Sequence, residues 1–240
     1  MRKLRWAAIF CAALLLLGVL AGLIYVRDAY PAQDAAIAAM AGSAQVTVTQ
    51  AGTLTVFSPP QPTAGLIFYP GGKVEPEAYA PLLSACAQRG LLCVLVSMPG
   101  NLAVLHSNAA DGIQARFPEL SRWYLCGHSL GGAMAASYIA KHPAEYDGLI
   151  LLAAYSAADL RETGLRVLSV CGSEDGVLDR DKYAAAADHL PPGAEEFIIE
   201  GGCHAYFGDY GPQAGDGTPA ISCETQIRQT ADRIAAFIEE

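Results

Sequence analysis

From residue 46 onward, apolar and polar positions follow two different rhythms. Val46–Thr49 and Thr53–Phe57 alternate residue by residue and are separated by Gln50-Ala51-Gly52, a pattern that predicts a β-hairpin. After Pro59–Pro62 the rhythm changes. Short apolar runs occur at Leu66–Tyr69, Cys93–Val96, Tyr124–Cys126, Leu149–Leu152, Val167–Cys171 and Glu196–Ile199, most of them without a polar face. Segments of helical spacing stand between or after them, at Pro76–Arg89, Gly132–Lys141, Asp181–His189 and Glu224–Ile238. A strand that is apolar on both faces must be covered on both. The alternation therefore predicts an α/β fold with a mostly parallel central sheet flanked by helices, as one domain over residues 46–240.

The amino terminus reads differently. Arg2, Lys3 and Arg5 precede an uncharged apolar stretch from Trp6 to Val26, closed by Arg27 and Asp28. As a helix, that stretch would match a bilayer core of about 30 Å. A cleaved signal peptide carries a shorter apolar region of roughly 7–15 residues, so a retained anchor over residues 1–28 is the expectation. The basic residues lie before the span, which places the amino terminus in the cytoplasm and the rest of the chain on the extracytoplasmic side of the cell membrane. Residues 29–45 are Ala-rich and contain Pro31, as expected of a linker or a short helix near the membrane.

Composition narrows the functional classes. Apolar residues make up 52% of the 240-residue chain and charged residues 16%, which suits a packed core and excludes disorder. The net charge of −9 would repel phosphate backbones and argues against nucleic-acid partners. Cys93, Cys126 and Cys171 fall in apolar strand-like runs and read as buried free thiols. Export would permit a Cys203–Cys223 staple across a loop, and the sequence leaves that pairing open.

The candidate chemistry begins at Gly127-His128-Ser129-Leu130-Gly131, a G-x-S-x-G motif between a strand-like run and a helix rich in small residues. Such a turn holds a serine exposed at a strand's carboxyl end, with small neighbours that allow backbone to approach closely. A serine nucleophile needs a base, and the base needs an orienting acid, expected later in the order acid, then histidine. Asp175 follows the run at Val167–Cys171, and His204 follows the run at Glu196–Ile199. Both therefore sit where open α/β sheets build their sites. Glu174 is the rival acid. Asp179 and Asp181 read as the start of the next helix, and His128 as a neighbour whose side chain turns away from Ser129. Oxyanion donors are expected from the backbone N–H groups of Leu130 and Gly72, the latter in a glycine turn after an early strand. The glycine-rich stretch Gly208–Ser222, after His204, reads as a packed loop more readily than as a gate.

Taken together, Tyr69-Pro70-Gly71-Gly72-Lys73-Val74, Met98-Pro99-Gly100-Asn101-Leu102, Gly127–Ala135 and Gly201–Gly211 resemble the small bacterial branch called α/β-hydrolase fold-5. The likeness, to dienelactone-hydrolase-like proteins, extends over roughly residues 46–238. The resemblance implies Ser129, Asp175 and His204 as a catalytic triad, with no metal or organic cofactor. Cys203 stands where the pattern has Asn, a departure that bears on the orientation of the histidine and not on its identity.

The expected reaction is hydrolysis of a carboxylic ester or thioester of a small-molecule acyl substrate, through an acyl-enzyme. The same residues would serve an amide hydrolase or an acyltransferase. A membrane-tethered binding module with a vestigial site is the alternative from another class, and the intact order of triad residues counts against it. Only fourteen residues run from Ala153 to Arg166, too few for a folded cap. An uncovered site buries little acyl chain, so chains of about two to four carbons are the expected substrates.

Overall fold

The computed structural model describes residues 2–240 and, within the first helix, all side chains except those of residues 2–4, 7, 8, 21, 23, 24, 26 and 27. Helix α1 (Arg2–Arg27) leads into α2 (Asp34–Ala39) and a hairpin of β1 (Thr47–Ala51) and β2 (Leu54–Ser58). There follow β3 (Ala64–Tyr69), α3 (Ala80–Ala87), β4 (Leu91–Val96), β5 (Trp123–His128), α4 (Leu130–Ile139), β6 (Gly148–Leu152), β7 (Arg166–Gly172), α5 (Arg180–Ala186), β8 (Glu195–Ile199) and α6 (Cys223–Glu239). Each strand-like run of the sequence lies within one of β3–β8. The first helical segment, Pro76–Arg89, opens as a tight turn at Pro76–Tyr79 and becomes α-helical from Ala80.

The eight strands form one sheet in the order β1-β2-β4-β3-β5-β6-β7-β8. β2 runs antiparallel to β1 and β4, and the strands from β4 to β8 are parallel to their neighbours. All residues of β3, β4, β5 and β6 are buried, as strands covered on both faces require. On one face Leu82, Leu83 and Cys86 of α3 and Ile227, Ala231 and Ile234 of α6 share a core with Phe68, Cys93 and Ile150. On the other, Ala135, Ala136 and Ile139 of α4 pack with Leu125, Leu149 and Leu151. All seven cysteines are free thiols, Cys203 and Cys223 included.

The stretch before the hairpin lies against this core. Tyr30 donates its N–H to the Lys73 carbonyl at 2.7 Å and accepts from the Glu75 N–H at 3.0 Å. The Ala36 N–H donates to the Asp209 carboxylate at 2.9 Å, and α2 packs on α3. Among the described residues no helix is long and apolar enough to cross a membrane. The span expected as an anchor includes residues whose side chains lie outside the described ones.

Candidate active site

Four consecutive strand ends build the candidate site. Lys73 follows β3, Asn101 follows β4, Ser129 follows β5 and Ala153 follows β6; among the described residues these are the non-glycine positions with positive φ, at 61°, 55°, 50° and 46°. Each such conformation costs about 1–3 kcal/mol and persists only where surrounding bonds enforce it. Here the loops are tied to one another and to neighbouring strands. The Lys73 N–H donates to Asn101 O at 2.8 Å, the Ser129 N–H to Leu152 O at 2.9 Å, and the Ala153 N–H to Val170 O at 2.7 Å.

The glycines of the motif explain why the turn can be this tight. A Cβ on Gly127 would lie 2.6 Å from the Gly131 carbonyl carbon, and one on Gly131 would run into the carbonyl oxygens of Tyr69 and Pro70. Without side chains there, α4 starts directly above β5. Ser129 is left at φ 50° and ψ −122°, lining a cleft of about 230 Å³ with Leu130, Ala133, Tyr155, Leu178 and His204.

Asp175 and His204 come together although 29 residues separate them: His204 Nδ1 lies 2.9 Å from Asp175 Oδ2, with both side chains buried. The other carboxylate oxygen, Oδ1, accepts from the Val177 and Leu178 N–H groups at 2.9 and 2.8 Å. The carboxylate therefore cannot turn away from the ring. Glu174, the rival acid, is exposed and accepts from its neighbour Ser173. His204 Nε2 is the one buried side-chain nitrogen or oxygen without a hydrogen-bond partner among the described residues. No hydrogen bond joins it to Ser129 among the described residues, although both line the same cleft.

On the opposite side, Gly72 sits over Leu130: a Cβ on Gly72 would come within 3.0 Å of the Leu130 Cδ2. Neither amide has a hydrogen-bond acceptor among the described residues, so both are available to a developing negative charge. The loop carrying Gly72 is held from beneath. The Gly71 N–H donates to the Tyr79 hydroxyl at 2.9 Å, leaving that hydroxyl's proton for His128 Nδ1 at 2.8 Å. His128 Nε2 lies 3.1 Å from the His204 carbonyl oxygen, which can only accept, so Nε2 carries the proton. Burial, and secondarily the neighbouring His204, pushes the His128 pKa well below its ordinary value, in keeping with a neutral ring. His128 thus turns from Ser129 as expected and links the Gly71–Gly72 loop to the main chain of His204.

Two further residues act on the same backbone. Asp216 Oδ1 accepts from the N–H groups of Gly176, His204 and Gly217 at 3.2, 3.1 and 2.8 Å, and Oδ2 from Ala205 at 2.8 Å. One carboxylate therefore clamps the loops bearing both His204 and Asp175. Gln226, fully buried in α6, accepts from the Cys203 N–H at 2.9 Å and donates to the Cys203 carbonyl at 2.8 Å. Here the side chain of Gln226 braces the residue before the histidine, and burial pushes the Cys203 thiol up to about 12, leaving it a neutral filler. Sequence reasoning missed Tyr79, Asp216 and Gln226. Gln226 had one visible signal, an amide on the apolar face of a helix beside Ile227 and Ala231. The start of Gly208–Ser222 packs against the core, where Tyr210 is buried and the Asp209 N–H donates to Ala78 O at 2.8 Å, whereas residues 211–222 are half-buried or exposed.

A single, mostly parallel sheet, a strained serine turn at the end of its fifth strand, and an acid and a histidine after later strands define the alpha/beta hydrolases. The chain belongs to that family, whose model matches residues 65–228. Solved structures share the fold at low identity. A protein described as a CIB-like hydrolase from Thermoplasma acidophilum is 16% identical with a TM-score of 0.57, covering 80% of this chain and 98% of its own. Dienelactone hydrolase from Anabaena variabilis is 14% identical with a TM-score of 0.61, over 81% of this chain and 98% of its own. Est1E from Butyrivibrio proteoclasticus is 12% identical with a TM-score of 0.57, over 82% of this chain and 100% of its own. No curated protein sequence matches.

Proposed function

We propose that the protein is a serine hydrolase that cleaves a carboxylic ester or thioester through an acyl-enzyme. The observation that carries this reading is the unpartnered Nε2 of a buried His204, anchored through Nδ1 by Asp175, in the cleft that Ser129 lines. In the first step Ser129 Oγ attacks the acyl carbon and His204 Nε2 takes its proton. Asp175 holds the Nδ1–H and stabilises the imidazolium, and the Gly72 and Leu130 amides receive the charge on the carbonyl oxygen. Collapse of this intermediate breaks the bond to the alcohol or thiol, which leaves with the proton from His204. Water, deprotonated by the same nitrogen, then attacks the acyl-serine and releases the acid.

A membrane tether through α1, with the domain on the extracytoplasmic side, belongs to the same proposal. Its support is the basic cluster Arg2, Lys3 and Arg5 before the apolar run, and the exposure of Trp6, Phe10, Leu15 and Leu16 on that helix. An apolar surface of that kind is rare on a free soluble protein. The tether would end beside the candidate oxyanion loop, since Lys73 Nζ lies 2.8 Å from Asp28 Oδ2.

A fluorophosphonate probe tests the mechanism. It should label the wild type at a single site and fail to label Ser129→Ala, and the variant should retain the fold and lose ester hydrolysis. Labelling that persists in Ser129→Ala, or turnover close to wild type, would overturn the assignment.

A further inference from the structure

Below the candidate site the sheet is incompletely covered. Helix α5 is only seven residues long, and a second cavity of about 530 Å³ lies between it, β6, β7 and the turn that enters β8. Its walls include Leu151 of β6, Ala186 of α5, and Leu190, Pro191 and Ala194 of the turn. Ala154 and Tyr155 line both this cavity and the Ser129 cleft, so that pair stands between the two spaces.

Of the cavity's polar side chains, the Tyr155 hydroxyl makes no hydrogen bond among the described residues, and the most deeply placed ones are already engaged. Ser169 Oγ lies 2.8 Å from the Tyr183 hydroxyl, which donates to Glu196 Oε1 at 2.8 Å. Arg180 donates to the Gly172 carbonyl at 2.6 Å. With His204 Nε2 the only orphaned buried side-chain atom among the described residues, no buried side-chain group in the cavity lacks a partner. A polar ligand would find little to bond there, whereas hydrocarbon would gain by leaving water. Size points the same way: small-molecule sites hold about 300–1,000 Å³. The Ser129 cleft alone, at about 230 Å³, falls short of that range, and the cavity beyond it does not.

We infer that an aliphatic chain of the ester substrate runs from Ser129 past Ala154 and Tyr155 into this cavity, so that the substrates are medium-chain esters. This rests on the serine-hydrolase reading and replaces the short-chain expectation drawn from the missing cap. The cap is absent, but the room for a chain lies beneath the site, where α5 leaves the sheet open.

The test uses the full chain in lipid nanodiscs and p-nitrophenyl esters from acetyl to decanoyl. While the chain remains inside the cavity, kcat/KM should rise roughly fourfold per added methylene and then level off. Ala194→Trp and Ala187→Trp place bulk in the cavity wall away from the catalytic groups. Either should cut octanoyl turnover at least tenfold and leave acetyl turnover within twofold. A parallel series of acetate esters of straight-chain alcohols shows which end of the substrate occupies the cavity, and dependence on chain length in either series supports the inference. A flat or falling profile in both, or an octanoyl-to-acetyl ratio unchanged in both folded variants, overturns it. If neither ester turnover nor fluorophosphonate labelling is found, the hydrolase reading fails separately. Calorimetric titration of 1-hexanol then reads the cavity alone: binding weakened by Ala194→Trp sustains it, and absent or unaltered binding ends it.

Discussion

Tyr79→Phe removes one oxygen atom from the middle of the molecule and separates the role of the buried relay from that of the core around it. Tyr79 is fully buried, and its hydroxyl serves two partners, the Gly71 N–H and His128 Nδ1. The variant keeps the ring, its contact with Phe68 at a centroid distance of 4.8 Å, and nearly all of the apolar burial. It leaves two buried polar groups without partners, each costing about 1–3 kcal/mol. The expected loss of stability is therefore about 2–6 kcal/mol, a large fraction of the roughly 5–15 kcal/mol that holds a domain together. Function should suffer in a particular way. Gly71 precedes the proposed oxyanion donor Gly72, and losing a donor outright costs about 2.7–4 kcal/mol in a model protease. A donor that is loosened but not removed should lower kcat about tenfold, with little change in KM. Denaturant unfolding and steady-state kinetics on one short ester measure both effects. Leu83→Ala supplies the control. It opens a cavity in the same core at a cost of about 2–5 kcal/mol without touching the relay, and its kcat should stay within twofold of wild type. A Tyr79→Phe protein with unchanged kcat, or a Leu83→Ala protein with an equal kcat loss, would refute the link between the relay and the oxyanion loop.

Asp175→Asn should retain the two amide contacts through its carbonyl oxygen and turn its NH₂ toward His204 Nδ1. That forces the proton onto Nε2, removes the base, and should lower kcat by about 10⁴, as in the serine-protease precedent; a loss under tenfold would count against the assignment. For Asp216, burial raises the carboxyl pKa, but the four amide donors outweigh burial and hold it below the ordinary value. Its stabilisation is thus complete above the ordinary carboxylate range and is lost as pH falls through the depressed folded value. Asp216→Asn should be about 1–2 kcal/mol less stable at pH 7, after allowance for its partial exposure, and that gap should close as pH falls below about 4. A gap that widens on acidification would contradict this. For the tether, protease added to intact cells should remove a carboxy-terminal tag, and a tag lost only on lysis would reverse the proposed orientation.

Much of the architecture was legible in the sequence because its signals are local. Apolar runs such as Cys93–Val96 and Leu149–Leu152 announce strands covered on both faces, and β4 and β6 are buried throughout. The serine turn was legible for the same reason, since Gly127, Gly131 and the small residues after them follow from steric limits within a few positions. The positions of Asp175 and His204 at strand ends could also be read. What could not be read is anything set by which distant segments meet. The choice of Asp175 over Glu174 follows from the direction in which one loop faces a histidine 29 residues away. Tyr79 acts on His128 across 49 residues, and Asp216 joins two loops 40 and 12 residues before it. The strand order, with β4 between β2 and β3, is likewise a matter of non-local pairing. The cavity under α5 is the plainest case. Sequence spacing registered the missing cap above the site, but a void exists only where the packed elements leave one, and no local pattern of residues encodes the shape between them.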